Sequence, residues 1–287
     1  MTKKAKITYA SPDDPLIKSI MIQAIELLSG KRRLEKLYNG LLGEHEGKPS
    51  FWGAALDSLQ IKMDYDARQL AKVPRTGPVV FIANHPFGVV DGIIICHLTI
   101  LAREDFQILI NSSLCRAEHL TPYFLPIDFN ETEEAVHVNI NSKKRAIDIL
   151  RDQGTIVIFP AGGIATSESP FGRATDLEWK TFAAKLIQTT QATVVPIYFH
   201  GQNSRIFQIA SQFSLTLRLS LIVREVNKQI GSTIRITIGD PIPYRELSDI
   251  KKKKELTRHL RRITYELGAQ SEKKGRFQNR RGWDLSY

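Results

Sequence analysis

The stretch Pro78-Val-Val-Phe81-Ile-Ala-Asn84-His85-Pro86-Phe87-Gly88-Val-Val-Asp91-Gly92 decides the fold. Its apolar run, 78–83, reads as a buried strand that Asn84, His85, Pro86 and Gly88 break with a turn. Asp91 then opens an apolar stretch reaching Arg103, which reads as a helix with Asp91 as its cap. A short loop therefore joins a histidine at the carboxyl end of a strand to a carboxylate at the start of the next helix. Open α/β sheets place their chemistry at such a position.

A His and an Asp so placed suit proton abstraction. Neutral imidazole, with an ordinary pKa of about 6.5, accepts a proton from an attacking hydroxyl or amine near neutral pH. A carboxylate on the other ring nitrogen fixes the tautomer and stabilises the imidazolium that forms. No serine or cysteine nucleophile is required if the acceptor's own hydroxyl attacks. Taken alone, the pair reads first as a helix cap beside a satisfied loop histidine, and the neighbouring residues reverse that reading.

Outward from this stretch, strands are expected at 106–110, 124–127, 155–159, 192–199 and 233–238. Pro126 confines the second of these to an edge or a strand start. Helical patterns at 142–152 and 177–188 alternate with them, capped by Ser142 and Asp176, while 215–230 fits either a strand or a helix. The alternation predicts an α/β domain with a mostly parallel mixed sheet flanked by helices. Before it, 14–28 and 31–40 read as an N-terminal helical pair, 51–59 as a short helix and 61–66 as an edge strand. After it, 247–267 is a basic helical pattern, and the polar residues from 268 onward read as mobile. The expected divisions are 1–74, a helical lead-in; 75–245, the main domain; and 246–287, a basic helix and polar tail.

Asn84-His85 followed by Asp91, then Ile158-Phe159-Pro160-Ala161-Gly162-Gly163, then Val194-Val195-Pro196-Ile197 resemble, in order, motifs of the glycerolipid acyltransferases, also called lysophospholipid acyltransferases. The His-Pro-Phe-Gly wording, with five residues between His85 and Asp91 instead of the usual four, is similar to a bacterial branch often labelled haemolysin. The resemblance covers roughly 75–245. It implies a 1-acylglycerol-3-phosphate acyltransferase-like enzyme of phospholipid biosynthesis, with acyl-CoA or acyl carrier protein as donor and no further cofactor or metal. It also implies His85 as general base, oriented by Asp91, with Asn84 and Gly88 in the substrate loop. The family's third motif carries a Glu and a Thr where Ala161 and Gly163 stand, and its second ends in an Arg where Tyr123-Phe-Leu-Pro-Ile-Asp128 ends in an acid. An ordinary glycerophospholipid acceptor is implied by the resemblance. The departures leave room for another lyso-lipid, such as an N-acylated amino acid with a free hydroxyl on its acyl chain, or for a non-catalytic lipid binder of the same fold.

Gly162 and Gly163 follow a strand directly, where backbone N–H groups can approach a phosphate or the oxyanion of a tetrahedral intermediate. Arg173 and Lys180 are candidates for an anionic head group, although Lys180 also stands four residues after Asp176, at the spacing of a helical ion pair. The cluster His200-Gly-Gln-Asn203-Ser204-Arg205 at a strand end offers Asn203 and Arg205 as further contacts. His200 has no carboxylate near it in sequence and is the weaker base.

The chain has 287 residues, 42% hydrophobic, enough for one large α/β domain. Its two cysteines, Cys96 and Cys115, lack CxxC spacing and suit a reducing cytoplasm without disulfide or zinc framework. Of the net charge of +10, residues 251–287 carry +8, with 12 Lys and Arg against 4 Asp and Glu. A basic tail attracts anionic bilayers or nucleic acid alike, but no nucleic-acid module accompanies it, so nucleic acid is not an expected partner. No run of 18 apolar residues and no apolar signal core stand in the sequence. The expected setting is cytoplasmic, peripheral on the inner face of the plasma membrane. Membrane lipid, acyl thioester and acyl carrier protein are the expected partners there.

Overall fold

The structure, a computed structural model, describes residues 22, 23, 25–27, 29–44, 50–115, 118–169, 171–213 and 215–281. Most of the expected helix 14–28 lies outside them. Seven strands form one sheet: β1 (Lys62–Asp64), β2 (Val79–Ala83), β3 (Phe106–Asn111), β4 (Phe124–Ile127), β5 (Thr155–Ile158), β6 (Thr193–Phe199) and β7 (Thr233–Ile238), in the order β1-β7-β6-β2-β5-β3-β4. Every pairing is parallel except β6 with β7. The mostly parallel mixed sheet expected from the alternation is therefore present. Pro126 lies on edge strand β4, where its missing N–H breaks no ladder on the open side.

Eight helices of eight residues or more are described: α1 (Lys31–Glu44), α2 (Phe51–Ser58), α3 (Val89–Ala102), α4 (Glu133–Arg151), α5 (Phe182–Thr190), α6 (Arg205–Phe213), α7 (Leu215–Gln229) and α8 (Lys253–Arg281). Alternate residues of the central strands sort them into two layers. Phe81, Ala83, Val195 and Phe199 face a core shared with α1, α2, α3 and α7. Val80, Ile82, Ile156 and Val194 face a second core shared with α4, α5 and α8. Strand β2 is wholly buried, and each such Val, Ile or Phe contributes about 1.5–3 kcal/mol of apolar burial. That burial fixes the register, since a one-residue slip would exchange the two cores' side chains.

Several helix starts differ from expectation, each because the helix begins behind a residue other than the expected cap. Helix α3 begins at Val89 after Gly88, whose φ of +70° makes the turn; Asp91 is its third residue, not its cap. Helix α4 begins at Glu133, where the Thr132 hydroxyl accepts from Ala135 N–H at 3.1 Å, so Ser142 is a buried interior residue. Helix α5 begins at Phe182 behind Thr181, and Asp176 is released for another task. The ambiguous stretch 215–230 is helix α7, and α8 runs through Arg281 where loose chain was expected.

Candidate active site

Strand β2 is the switch point of the sheet, with β5 on one side and β6 on the other. The loops leaving these three strands converge at their carboxyl ends. Asn84 binds two of them together: its Nδ2 donates to the Phe199 carbonyl at 2.9 Å and its Oδ1 accepts from Phe199 N–H at 2.7 Å. Both ends of the amide are thus committed to β6. Asn84 braces the loop by these bonds.

His85 is held by its backbone. Its N–H donates to Asp176 Oδ1 at 3.0 Å, and its carbonyl accepts from Ala165 N–H at 2.8 Å. Its ring stacks on Phe159, with centroids 3.9 Å apart and planes at 26°. Nδ1 lies 3.2 Å from Asp91 Oδ2, an ion-pair distance outside strict hydrogen-bond geometry in this ring orientation. The His85 side chain is 17% exposed and that of Asp91 is sealed.

Asp91 Oδ2 also accepts from Phe87 N–H at 2.7 Å and from Gly88 N–H at 3.0 Å. Burial pushes the Asp91 carboxyl above its ordinary range, while His85 and the two amides pull it down. The hairpin of the loop therefore folds around this one carboxylate. Gly88 completes it, because a Cβ there would lie 2.6 Å from Ile164 Cδ1 in a left-handed backbone. Gly88→Ala is expected to lower the melting temperature by several degrees and to reduce turnover with it; an unchanged melt would show the loop can relax.

Asp176, expected as a cap and as a partner for Lys180, is a buried brace behind His85. Its Oδ2 accepts from Trp179 Nε1 at 2.8 Å, its N–H donates to the Tyr265 hydroxyl at 2.8 Å, and its carbonyl accepts from Arg261 Nη2 at 3.1 Å. Helix α8 thereby holds the histidine loop through Asp176. Burial raises the carboxyl of Asp176 and the phenol of Tyr265 above their ordinary values.

Lys180 turns the other way. Its Nζ lies 4.5 Å above the Phe129 ring and 3.2 Å from where a Gly162 Cβ would stand. Burial, and then the neighbouring Lys143, hold its ammonium below the usual value. Gly162, at φ +69°, gives its N–H to the Phe159 carbonyl at 3.0 Å, so the third-motif loop is a closed turn. Gly163 is intermediate in exposure and faces Arg218, whose Nη2 donates to the Ile164 carbonyl at 2.9 Å. Arg218 was hidden in the ambiguous 215–230 stretch. Its only signal was a charge amid apolar residues.

The remaining candidates are dispersed around this centre. Arg173 donates to the Tyr198 hydroxyl at 3.1 Å, and Arg205 donates to the Gly172 carbonyl at 2.6 Å. Asn203 is buried, its side-chain amide without a hydrogen-bond partner among the described residues. His200 Nε2 lies 2.8 Å from Thr237 Oγ1 on β7, the strand beyond β6 from β2. A buried carboxylate behind a partly open imidazole, with cations at the rim, can deprotonate a hydroxyl and hold an anionic acceptor.

A family model described as Acyltransferase matches residues 51–273. A lyso-glycine lipid O-acyltransferase of Phocaeicola vulgatus is 28% identical over 227 residues, covering 76% of this chain and 77% of that protein. Another from Bacteroides thetaiotaomicron is 27% identical over 241 residues, covering 80% and 84%. The crystal structure of the 1-acyl-sn-glycerophosphate (LPA) acyltransferase from Thermotoga maritima aligns over 88% of this chain and 98% of that one, at 16% identity and a TM-score of 0.45.

Proposed function

The chain belongs to the acyltransferase family, and on that premise we propose that it moves a fatty acyl group from a thioester to the hydroxyl of a lyso-glycine lipid. The acceptor is an N-acylated glycine carrying a free hydroxyl on its acyl chain, and acyl-CoA or acyl carrier protein is the donor. Support for the acceptor comes from the two lyso-glycine lipid O-acyltransferases to which the chain is similar and from Asp128 standing where a phosphate-holding Arg was expected.

The observation that carries the chemistry is the sealed Asp91 beside His85 Nδ1. With its proton on Nδ1, facing the carboxylate, the imidazole presents basic Nε2 to the acceptor. Nε2 takes the hydroxyl proton as the oxygen attacks the thioester carbon, forming a C–O bond and a tetrahedral oxyanion. The C–S bond then breaks, and the imidazolium returns the proton to the leaving sulfur. An ester and a free thiol leave, and His85 is neutral again. The Gly162 amide is engaged in its turn, so the oxyanion is assigned to the N–H of Gly163. Lys180 and Arg218, on either side of that loop, take the acceptor carboxylate.

Purified protein given labelled donor and a panel of lyso-lipids tests this reading. Transfer is expected to favour the hydroxylated N-acyl glycine; a clear preference for lysophosphatidate would overturn the acceptor. Lys180→Ala is expected to raise the KM for the anionic acceptor about 10-fold, the scale of one charged hydrogen bond, with kcat little changed. A fall in kcat at constant KM would instead place Lys180 on the donor or the transition state.

A further inference from the structure

Helix α6 is buried on one side and bare on the other. Phe207 and Gln208 are fully buried, whereas Ile206, Ile209 and Phe213, spaced along one helical face, are exposed, Phe213 by 78%. Phe171, 82% exposed, belongs to the same surface because its loop is tied along α6 at both ends. Ser167 N–H donates to Gln208 Oε1 at 2.9 Å, Gln212 Nε2 donates to the Ser167 carbonyl at 3.3 Å, and Arg205 Nη1 donates to the Gly172 carbonyl. Single exposed apolar residues are ordinary, but four large ones gathered on one surface mark an interaction site.

The sequence around this surface is net positive. No Asp or Glu occurs from Trp179 to Arg224, a span that includes all of α6. Arg205 donates to the Gly172 carbonyl and pairs with no carboxylate among the described residues. Glu168, the one acid between Phe159 and Gly172, is matched in formal charge by Arg173. A helix with a bare apolar face and an arginine, Arg205, at its start fits the plane of an anionic bilayer, burying the apolar side chains while the guanidinium meets lipid phosphates.

We infer that α6 and Phe171 form the surface on which this protein docks to an anionic lipid bilayer. The same loop that carries Phe171 starts at Phe159 against the His85 ring and passes Ala165, which holds the His85 carbonyl. Docking through it brings the histidine to the level where lyso-lipid hydroxyls lie. The inference rests on the lipid acceptor proposed above.

Full-length protein is sedimented with vesicles of phosphatidylcholine alone or mixed with phosphatidylglycerol, beside the double variant Phe171→Ser, Phe213→Ser. Both side chains stand in solvent, so the variant's melt should match wild type. Wild type is expected to pellet with the anionic vesicles and less with the neutral ones. Its partition should fall about 10- to 100-fold in the variant, from roughly tenfold per partly buried phenylalanine. Turnover of a short-chain monomeric acceptor should persist, while turnover of vesicle-borne acceptor drops. Wild-type protein that does not pellet, or a variant that pellets equally well, overturns the inference. So does a variant that pellets normally and loses only carrier-protein-dependent turnover, since the surface would then dock a protein. Phenylalanine-dependent pelleting without acyl transfer to any lyso-lipid would sink the proposed function and leave the docking surface standing.

Discussion

His85→Ala is expected to leave a folded protein whose acyl transfer falls by about 10²- to 10⁴-fold, the scale of a lost general base. Folding should survive because the loop grips the backbone of His85, through Asp176 Oδ1 and Ala165 N–H, and not its ring. The ring's own packing on Phe159 is worth about 0.5–1.5 kcal/mol, a loss that a domain with two cores can absorb. The measurement is transfer from labelled acyl-CoA and from acyl carrier protein, alongside a thermal melt. Wild-type turnover in the variant would end the mechanism, whichever acceptor is used. A collapsed melt would mean instead that the ring is structural.

Asp91→Asn separates stability from activity. The asparagine keeps an oxygen for the Phe87 and Gly88 amides but carries no charge for the imidazolium, so turnover is expected to fall by about 10²- to 10⁴-fold. Stability should move the other way. Burial raises the folded carboxyl above the unfolded value of about 3.9, so the unfolded chain loses this proton first as the pH rises. Folded stability then declines from about pH 4 up through the raised folded pKa, and the deficit persists at pH 7. Asparagine removes it. Its melt at pH 7 should equal or exceed wild type, and the difference should vanish at pH values below the unfolded carboxyl. A variant less stable than wild type at pH 7 would show that the His85 pairing outweighs the burial of the charge.

The central loop was legible because its signals are local. An apolar run, a Pro and Gly turn and an acid eight residues after the strand end are enough to put His85 and Asp91 together. The caps were less legible. Asp91, Ser142 and Asp176 each have a cap's composition, but a side chain that can accept from its own helix can equally accept from elsewhere, and only packing decides which. Asp176 accepts from the His85 backbone, 91 residues earlier, and from Trp179. No periodicity announces such a contact.

The sequence by itself determined the strand and helix alternation, the placing of His85 and Asp91 at a strand end, and the family motifs with their substitutions at Ala161, Gly163 and Asp128. These depend on the 2.0 and 3.6 residue periods and on turn chemistry, which act over a few residues. Tertiary structure alone decided the strand order that makes β2 the switch point, the use of Asn84 as a clasp on β6, and the arrival of Arg218 and Lys180 at the third-motif loop. It also decided which side of α6 stays bare. These depend on which surfaces meet, and burial energy depends on area removed from water without regard to distance along the chain.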